Sequence, residues 1–154
     1  MSNGRRGFNQ KQRNKPSPIE GLLNEIKKAD SLKEVLIPEK YALPGGWAQK
    51  VVSVLGRGQD AAMNSNQLRK IFTQLKNIEE KVSKNQDDNL TVDQMNEILL
   101  LMPQIAYARG RNLISLDFYN LLKECITPKK IKDKNDYISF VKFYTAIVAY
   151  SKLG

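Results

Sequence analysis

The chain has 154 residues, with 25 Lys and Arg against 16 Asp and Glu, so its net charge is +9. It has no histidine and one cysteine, which removes Ser-His-Asp and Cys-His nucleophilic sites, the usual zinc sites and the disulfide-stapled secreted class. What remains is one ordinary cytoplasmic domain whose surplus of positive charge suggests a polyanionic partner, most often nucleic acid.

Five of the nine surplus charges lie in residues 1–18, where Arg5, Arg6, Lys11, Arg13 and Lys15 stand without an acid. The rest of the chain has 20 basic and 16 acidic side chains, a net +4. With Phe8 its one aromatic and Met1 its one aliphatic side chain, the 1–18 segment buries too little apolar surface to offset the entropy of ordering it. It reads as a disordered basic arm, either a solubility aid or a source of non-specific phosphate contacts. It lacks the apolar stretch of a signal peptide. The longest apolar run, Ile98 to Pro103, is far short of the roughly 20 residues that span a membrane.

From residue 19 the periodicity is helical nearly everywhere. Pro18 is placed as the first residue of a helix. Ile19, Leu22, Leu23 and Ile26 follow the i, i+3, i+4, i+7 pattern. Leu32, Val35 and Leu36 suggest a short continuation closed by Pro38, and residues 39–46 read as a loop around Pro44-Gly45-Gly46. Trp47, Val51 and Leu55 share one face of a short helix ending at Gly56. Ser65 or Asn66 caps a longer helix reaching about Lys84, with the stripe Leu68, Ile71, Phe72, Leu75, Ile78 and Val82.

Thr91 caps a fourth helix, with Asp93 and Gln94 in its first turn. Its apolar side chains, from Met95 to Tyr107, point in all directions. That predicts a central helix, kinked at Pro103. Ser115 caps a short helix with Phe118, Leu121, Leu122 and Cys125 inward, and Asn135 or Asp136 starts the last one. Phe140, Val141, Phe143, Tyr144, Ile147, Val148 and Tyr150 cover about half of that helix. The expected fold is all-α, a compact bundle of five to six helices over residues 19–154, preceded by the arm.

Few residues suggest chemistry. Asp87-Asp88-Asn89 with Asp93 lacks the spacing and glycine of a calcium loop and suits an ordinary helix–helix turn. Cys125, with no histidine to activate it, reads as a small buried hydrophobe. No phosphate-binding loop is formed by Gly45-Gly46 or by Gly56-Arg57-Gly58. No metal site, cofactor site or catalytic set is expected.

The cations are more informative. Arg69 and Lys76 flank the stripe of the longer helix, two turns apart, while Lys70, Lys81 and Lys84 lie opposite it. A solvated face with pairs such as Lys76–Glu80 is the commoner use of such residues. Arg109 and Arg111 end the most apolar helix. They suit phosphate binding or C-terminal capping, and on an ideal helix Arg109 projects toward the core side, which allows a buried ion pair. Lys142 stands on the narrow polar side of the last helix. With no aromatic clearly free of the core, base stacking is not expected.

Three segments together resemble one family: Ser65-Asn66-Gln67-Leu68-Arg69-Lys70-Ile71, Ile105-Ala106-Tyr107-Ala108-Arg109-Gly110-Arg111, and Phe140 to Lys152. They are similar in order and spacing to the small, all-helical subunit of the type III-A CRISPR–Cas effector, the Csm complex. The segment Gly46-Trp47-Ala48 is a weaker match, and the first 40 residues look like an extension.

The resemblance implies a non-catalytic subunit stacked in several copies along a ribonucleoprotein filament. Its implied partners are guide RNA, target RNA, the backbone and palm-domain large subunits and further copies of itself, with no membrane. It also implies backbone contacts without sequence readout. Carried over by motif, Arg69, Lys70, Arg111 and Lys142 are the candidate RNA contacts. Arg109 departs from the family pattern, which often has a small or neutral residue there. Lys50, Arg57 and Lys76 are added on charge and proximity. The alternative is a helical protein–protein adaptor whose basic face docks an acidic partner.

Overall fold

The computed structural model describes residues 16–56 and 65–153, and these hold helices and turns with no strand. Most of the 1–18 segment and Arg57 lie outside the described residues. Helix α1 (Glu20–Lys28) buries Leu22 and Ile26. Pro18 is not its first residue but part of the turn before it, where Ser17 Oγ accepts the Ile19 N–H at 3.2 Å. A 3₁₀ turn (Leu32–Glu34) follows, and then α2 (Pro38–Tyr41). Pro38 therefore opens a helix instead of closing one, because its fixed φ and missing N–H suit the first helical position. This places a helical turn where a loop was expected. Gly45 has φ +85°, and a Cβ on Gly46 would stand 2.9 Å from the Lys40 and Leu43 carbonyls, so the chain turns tightly into α3 (Trp47–Val52).

Helix α4 (Ser65–Ser83) buries Leu68, Ile71, Leu75, Ile78 and Val82 of the expected stripe and leaves its sixth member, Phe72, partly buried. Thr91 forms a full capping box at α5 (Val92–Leu99): its Oγ1 accepts the Gln94 N–H at 3.1 Å and its own N–H donates to Gln94 Oε1 at 3.0 Å. Gln94 is buried and also exchanges amide bonds with Asn85, at 2.7 and 3.0 Å, so the turn after α4 is tied to the start of α5. Helix α6 (Leu101–Gly110) continues from α5 through Leu100. The helix is therefore interrupted three residues before Pro103, where the kink was expected. Proline lacks the N–H for the Leu99 carbonyl, and its ring crowds that carbonyl.

Helix α7 (Leu116–Cys125) is capped by Ser115, whose hydroxyl accepts the Phe118 N–H and donates to the Val54 carbonyl at 2.7 Å. Helix α8 (Lys134–Ser151) starts at Lys134, not at Asn135 or Asp136, and is capped by Asp133. The helix thus begins earlier than the sequence suggested, and Asp136 is turned inward.

The central helix is α8 and not the α5–α6 pair. It packs against α3, α4 and the 3₁₀ turn and buries Tyr137, Phe140, Val141, Phe143, Tyr144 and Ile147. Fully burying a large apolar side chain stabilises by about 1.5–3 kcal/mol, so these six form the largest apolar contribution of any helix. In contrast α6 buries only Leu101, Ile105 and Ala108, and leaves Tyr107 exposed, while Leu100 is exposed at the α5–α6 joint. Their all-round apolar character is not the mark of a centre here.

Two buried tyrosines fix how α8 lies on α4. Tyr137 donates to the Leu75 carbonyl at 2.7 Å and Tyr144 to the Leu68 carbonyl at 2.9 Å. Seven residues apart on each helix and in opposite order, these bonds make α4 and α8 antiparallel. Burial pushes both phenols well above their ordinary pKa, so they remain neutral donors.

At the other end of α8, Asp136 is fully buried and accepts the backbone N–H groups of Lys33 and Lys132, both at 2.9 Å. Lys33 Nζ bridges to Asp133 at 2.6 Å. These bonds join the 3₁₀ turn to the start of α8. Burial alone would raise the Asp133 carboxyl, but the bond from Lys33, the Asp136 N–H and the Lys33 charge hold it below the ordinary carboxylate range.

Asp136→Ala would leave two backbone donors without their acceptor. A loss of roughly 3 kcal/mol is expected, read as a lower midpoint in urea unfolding with an unchanged slope. For Asp133, whose folded pKa is depressed, the stabilisation is present above the unfolded-state pKa. It is lost as pH falls through the folded one. Acid titration followed by circular dichroism should therefore show a stability decline below about pH 4 that is shallower in Asp133→Asn.

Candidate nucleic-acid interface

Adjacent residues on a helix are separated by about 100°, and this decides where the basic pair of α4 points. Both side chains are exposed. Arg69 faces a cleft between α4 and the end of α8, with Phe72, Val148 and Lys152. Lys70 faces another side, toward α6, in a groove it shares with Gln67, Gln104 and Tyr107. Lys70 and Lys81 therefore flank the stripe on the α5–α6 side instead of lying opposite it. Lower on that seam, Gln74 donates to Gln104 at 2.8 Å and Lys81 pairs with Glu97 at 3.1 Å.

Arg111 stands just past the end of α6. Its Nη1 donates to Tyr107 Oη at 3.2 Å, and its guanidinium carbon lies 5.8 Å from the Tyr107 ring centroid. Tyr107 also lines the groove of Lys70. The structure thus gathers Lys70 and Arg111 around one tyrosine, places Arg69 on the other flank of α4, and leaves Lys142 exposed on α8. The four candidates belong to one molecule but do not form one tight cluster.

Of the remaining candidates, the three that are described have structural partners. Lys76 pairs with Glu79 at 2.8 Å, not with Glu80, which lies 3.9 Å from Lys84. Lys50 lies 4.8 Å from the centroid of Trp47, a cation–π contact. Arg109 is half-buried and its Nη1 donates to the Ile114 carbonyl at 2.8 Å, so it holds the loop that enters α7. Among the described residues, by contrast, Arg69, Lys70, Lys142 and Lys152 form no ion pair with an acid.

Other features of the sequence are structural. Cys125 is buried, and burial pushes its thiol far above the ordinary range, so it is protonated and unreactive. Asp87 Oδ1 accepts the Asn89 N–H at 3.0 Å, closing the turn before α5. Tyr150 donates to the Ala42 carbonyl at 2.7 Å and Tyr144 lies in the core, so the broad face of α8 serves packing. No cluster of three metal-ligating side chains occurs among the described residues, and no described helix is long and apolar enough to cross a membrane.

Sequence reasoning missed Tyr107, which is 65% exposed; the expectation that no aromatic stands free of the core is corrected by it. The signal was available in the spacing. Arg111 is four residues after Tyr107, where side chains meet on a helical face.

A family model described as Csm2 Type III-A matches residues 47–153. The match begins at Trp47, so it includes the Gly46-Trp47-Ala48 region apart from its first residue. No curated protein and no solved structure matches the chain.

Arg109→Ala should cost about 1.5–3 kcal/mol of stability, the range for a hydrogen bond to a charged group. Chemical denaturation measures it. Lys76→Ala, which removes only a surface pair, should change stability by less than about 1 kcal/mol.

Proposed function

The chain belongs to the type III-A Csm2 family and is a small structural subunit of the type III-A CRISPR complex, alongside other Csm subunits; from that premise we propose that it contacts RNA through its backbone phosphates, without reading sequence. The observation that supports this is the division among its cations. Lys33, Lys40, Lys76, Lys81 and Lys84 are paired with acids, while the motif residues Arg69, Lys70 and Lys142 are exposed and, among the described residues, paired with none. Arg111 is exposed too, with its guanidinium resting on Tyr107. Unpaired, solvated Lys and Arg side chains are what a phosphate backbone recruits, because binding releases condensed counterions.

Such contacts position a strand and carry no sequence information. That suits a subunit working beneath many different guides. In this reading residues 19–154 form one domain, several copies stack along the filament beside the backbone and palm-domain large subunits, and the chemistry belongs to those subunits. The 1–18 segment, with five basic side chains and no acid, adds further phosphate contacts.

The test is retention of target RNA by the assembled complex as salt is raised. Arg69→Ala with Arg111→Ala should weaken retention for every target sequence alike. It should also lower the slope of log affinity against log salt by roughly 0.7–0.9 for each phosphate no longer neutralised. Lys76→Ala is the matched control, already neutralised by Glu79. An unchanged slope in the double variant, with the fold intact by circular dichroism, would overturn the assignment. Loss of the subunit from the complex with no change in RNA affinity would favour the adaptor alternative.

A further inference from the structure

Phosphate contacts leave one exposed group without a use. Tyrosine normally places most of its ring against other apolar surface, yet Tyr107 is 65% exposed on a helix that has core to offer. It stands at a groove of about 340 Å³ walled by Pro103, Gln104 and Leu113 on one side and by Gln67 and Lys70 of α4 on the other. That volume falls within the range of small-ligand sites. The ring is held and still largely open: Arg111 bonds its hydroxyl at 3.2 Å and lies over it at 5.8 Å from the centroid, and the residue remains 65% exposed. An aromatic restrained in this way loses little rotamer freedom when a planar ligand lands on it.

We infer that Tyr107 is a stacking platform for an unpaired RNA nucleobase, with Lys70 and Arg111 taking the phosphates on either side of that nucleotide. This rests on the RNA-contact reading above and gives it a base-dependent component. Three features of the groove support the assignment. Pro103 and Leu113 offer an apolar wall to a ring. The side-chain amides of Gln67 and Gln104 carry both donors and an acceptor, so they tolerate any base edge. Lys70 shares the groove with Tyr107 and Arg111 bonds the Tyr107 hydroxyl, so two cations are at hand for the nucleotide's phosphates. Stacking on an aromatic face is sequence-tolerant, because every base has a π-face, so the platform adds affinity without adding specificity.

The test uses the full chain at low salt with two single-stranded RNAs of equal length. One carries all its bases and the other carries abasic sites. Stacking on an aromatic predicts that the wild type binds the base-bearing strand about 5- to 100-fold more tightly. Tyr107→Leu should abolish that ratio, and Tyr107→Phe, which keeps the ring and loses the bond from Arg111, should retain most of it. Arg69→Ala with Lys142→Ala should weaken both strands alike and preserve the ratio, which separates stacking from the charge reading. A wild-type ratio near one, or a ratio unchanged by Tyr107→Leu, overturns the platform while leaving phosphate binding standing. No affinity for either strand overturns both. If Tyr107→Leu instead expels the subunit from the assembled complex with the ratio unaltered, the groove docks protein and the inference fails.

Discussion

The antiparallel seating of α8 on α4 is the constraint on which the rest depends. Two tyrosine hydroxyls, both buried, reach carbonyls two turns apart on the facing helix. Each is worth only about 1 kcal/mol net. Their larger effect is on specificity, because a buried hydroxyl without an acceptor is costly. A slip of α4 along α8 by one residue would leave both without their acceptors and would also misplace Phe72, which stacks with Tyr144 at 6.3 Å. The register is therefore set by polar groups, while the affinity of the two helices comes from Phe140, Tyr144 and the leucine stripe around them.

Once that register is fixed, the direction of each cation on α4 follows. Arg69 and Lys70 are neighbours in sequence, but each flanks the buried stripe from a different side. One is turned toward the end of α8 and the other toward α6. Two neighbouring cations thus make two separate contacts, on either flank of the same helix. This is why the arginine of α4 and the arginine past α6 do not converge, whereas Lys70, Tyr107 and Arg111 do.

Much of this was legible in the sequence. The stripe of α4, the capping residues Thr91 and Ser115 and the inward face of α7 are local signals, set by periodicity and by short hydrogen bonds. The misread parts are those that only tertiary partners decide. Leu100 and Tyr107 looked like core because apolar side chains surround α5 and α6, but hydrophobicity does not say which side finds a neighbour. Pro38 looked like a stop because proline ends and begins helices with equal ease. Asp136 looked like a possible first residue of the last helix, yet the helix starts at Lys134 under an Asp133 cap, and the Asp136 oxygens serve the distant Lys33 N–H and the nearby Lys132 N–H. At the site, the motif residues were found by resemblance, and the tyrosine beside Arg111 was hidden by its own apolar ring.

The family match begins at Trp47, yet the structure does not treat the preceding residues as an appendage. Ile19, Leu22, Ile26, Leu32 and Tyr41 are buried in the same core as α4 and α8. Leu32 donates to the Lys130 carbonyl at 3.0 Å, Ala42 accepts from Tyr150, and Lys33 is tied to both aspartates at the start of α8. These bonds brace the two ends of the central helix from one side. Pairing also divides the charge: lysines at these joints and along the outer turns of α4 are matched by acids, so they contribute little field. The polyanion-facing character of the folded part then rests with the cations left unmatched, and a net charge alone could not have located them.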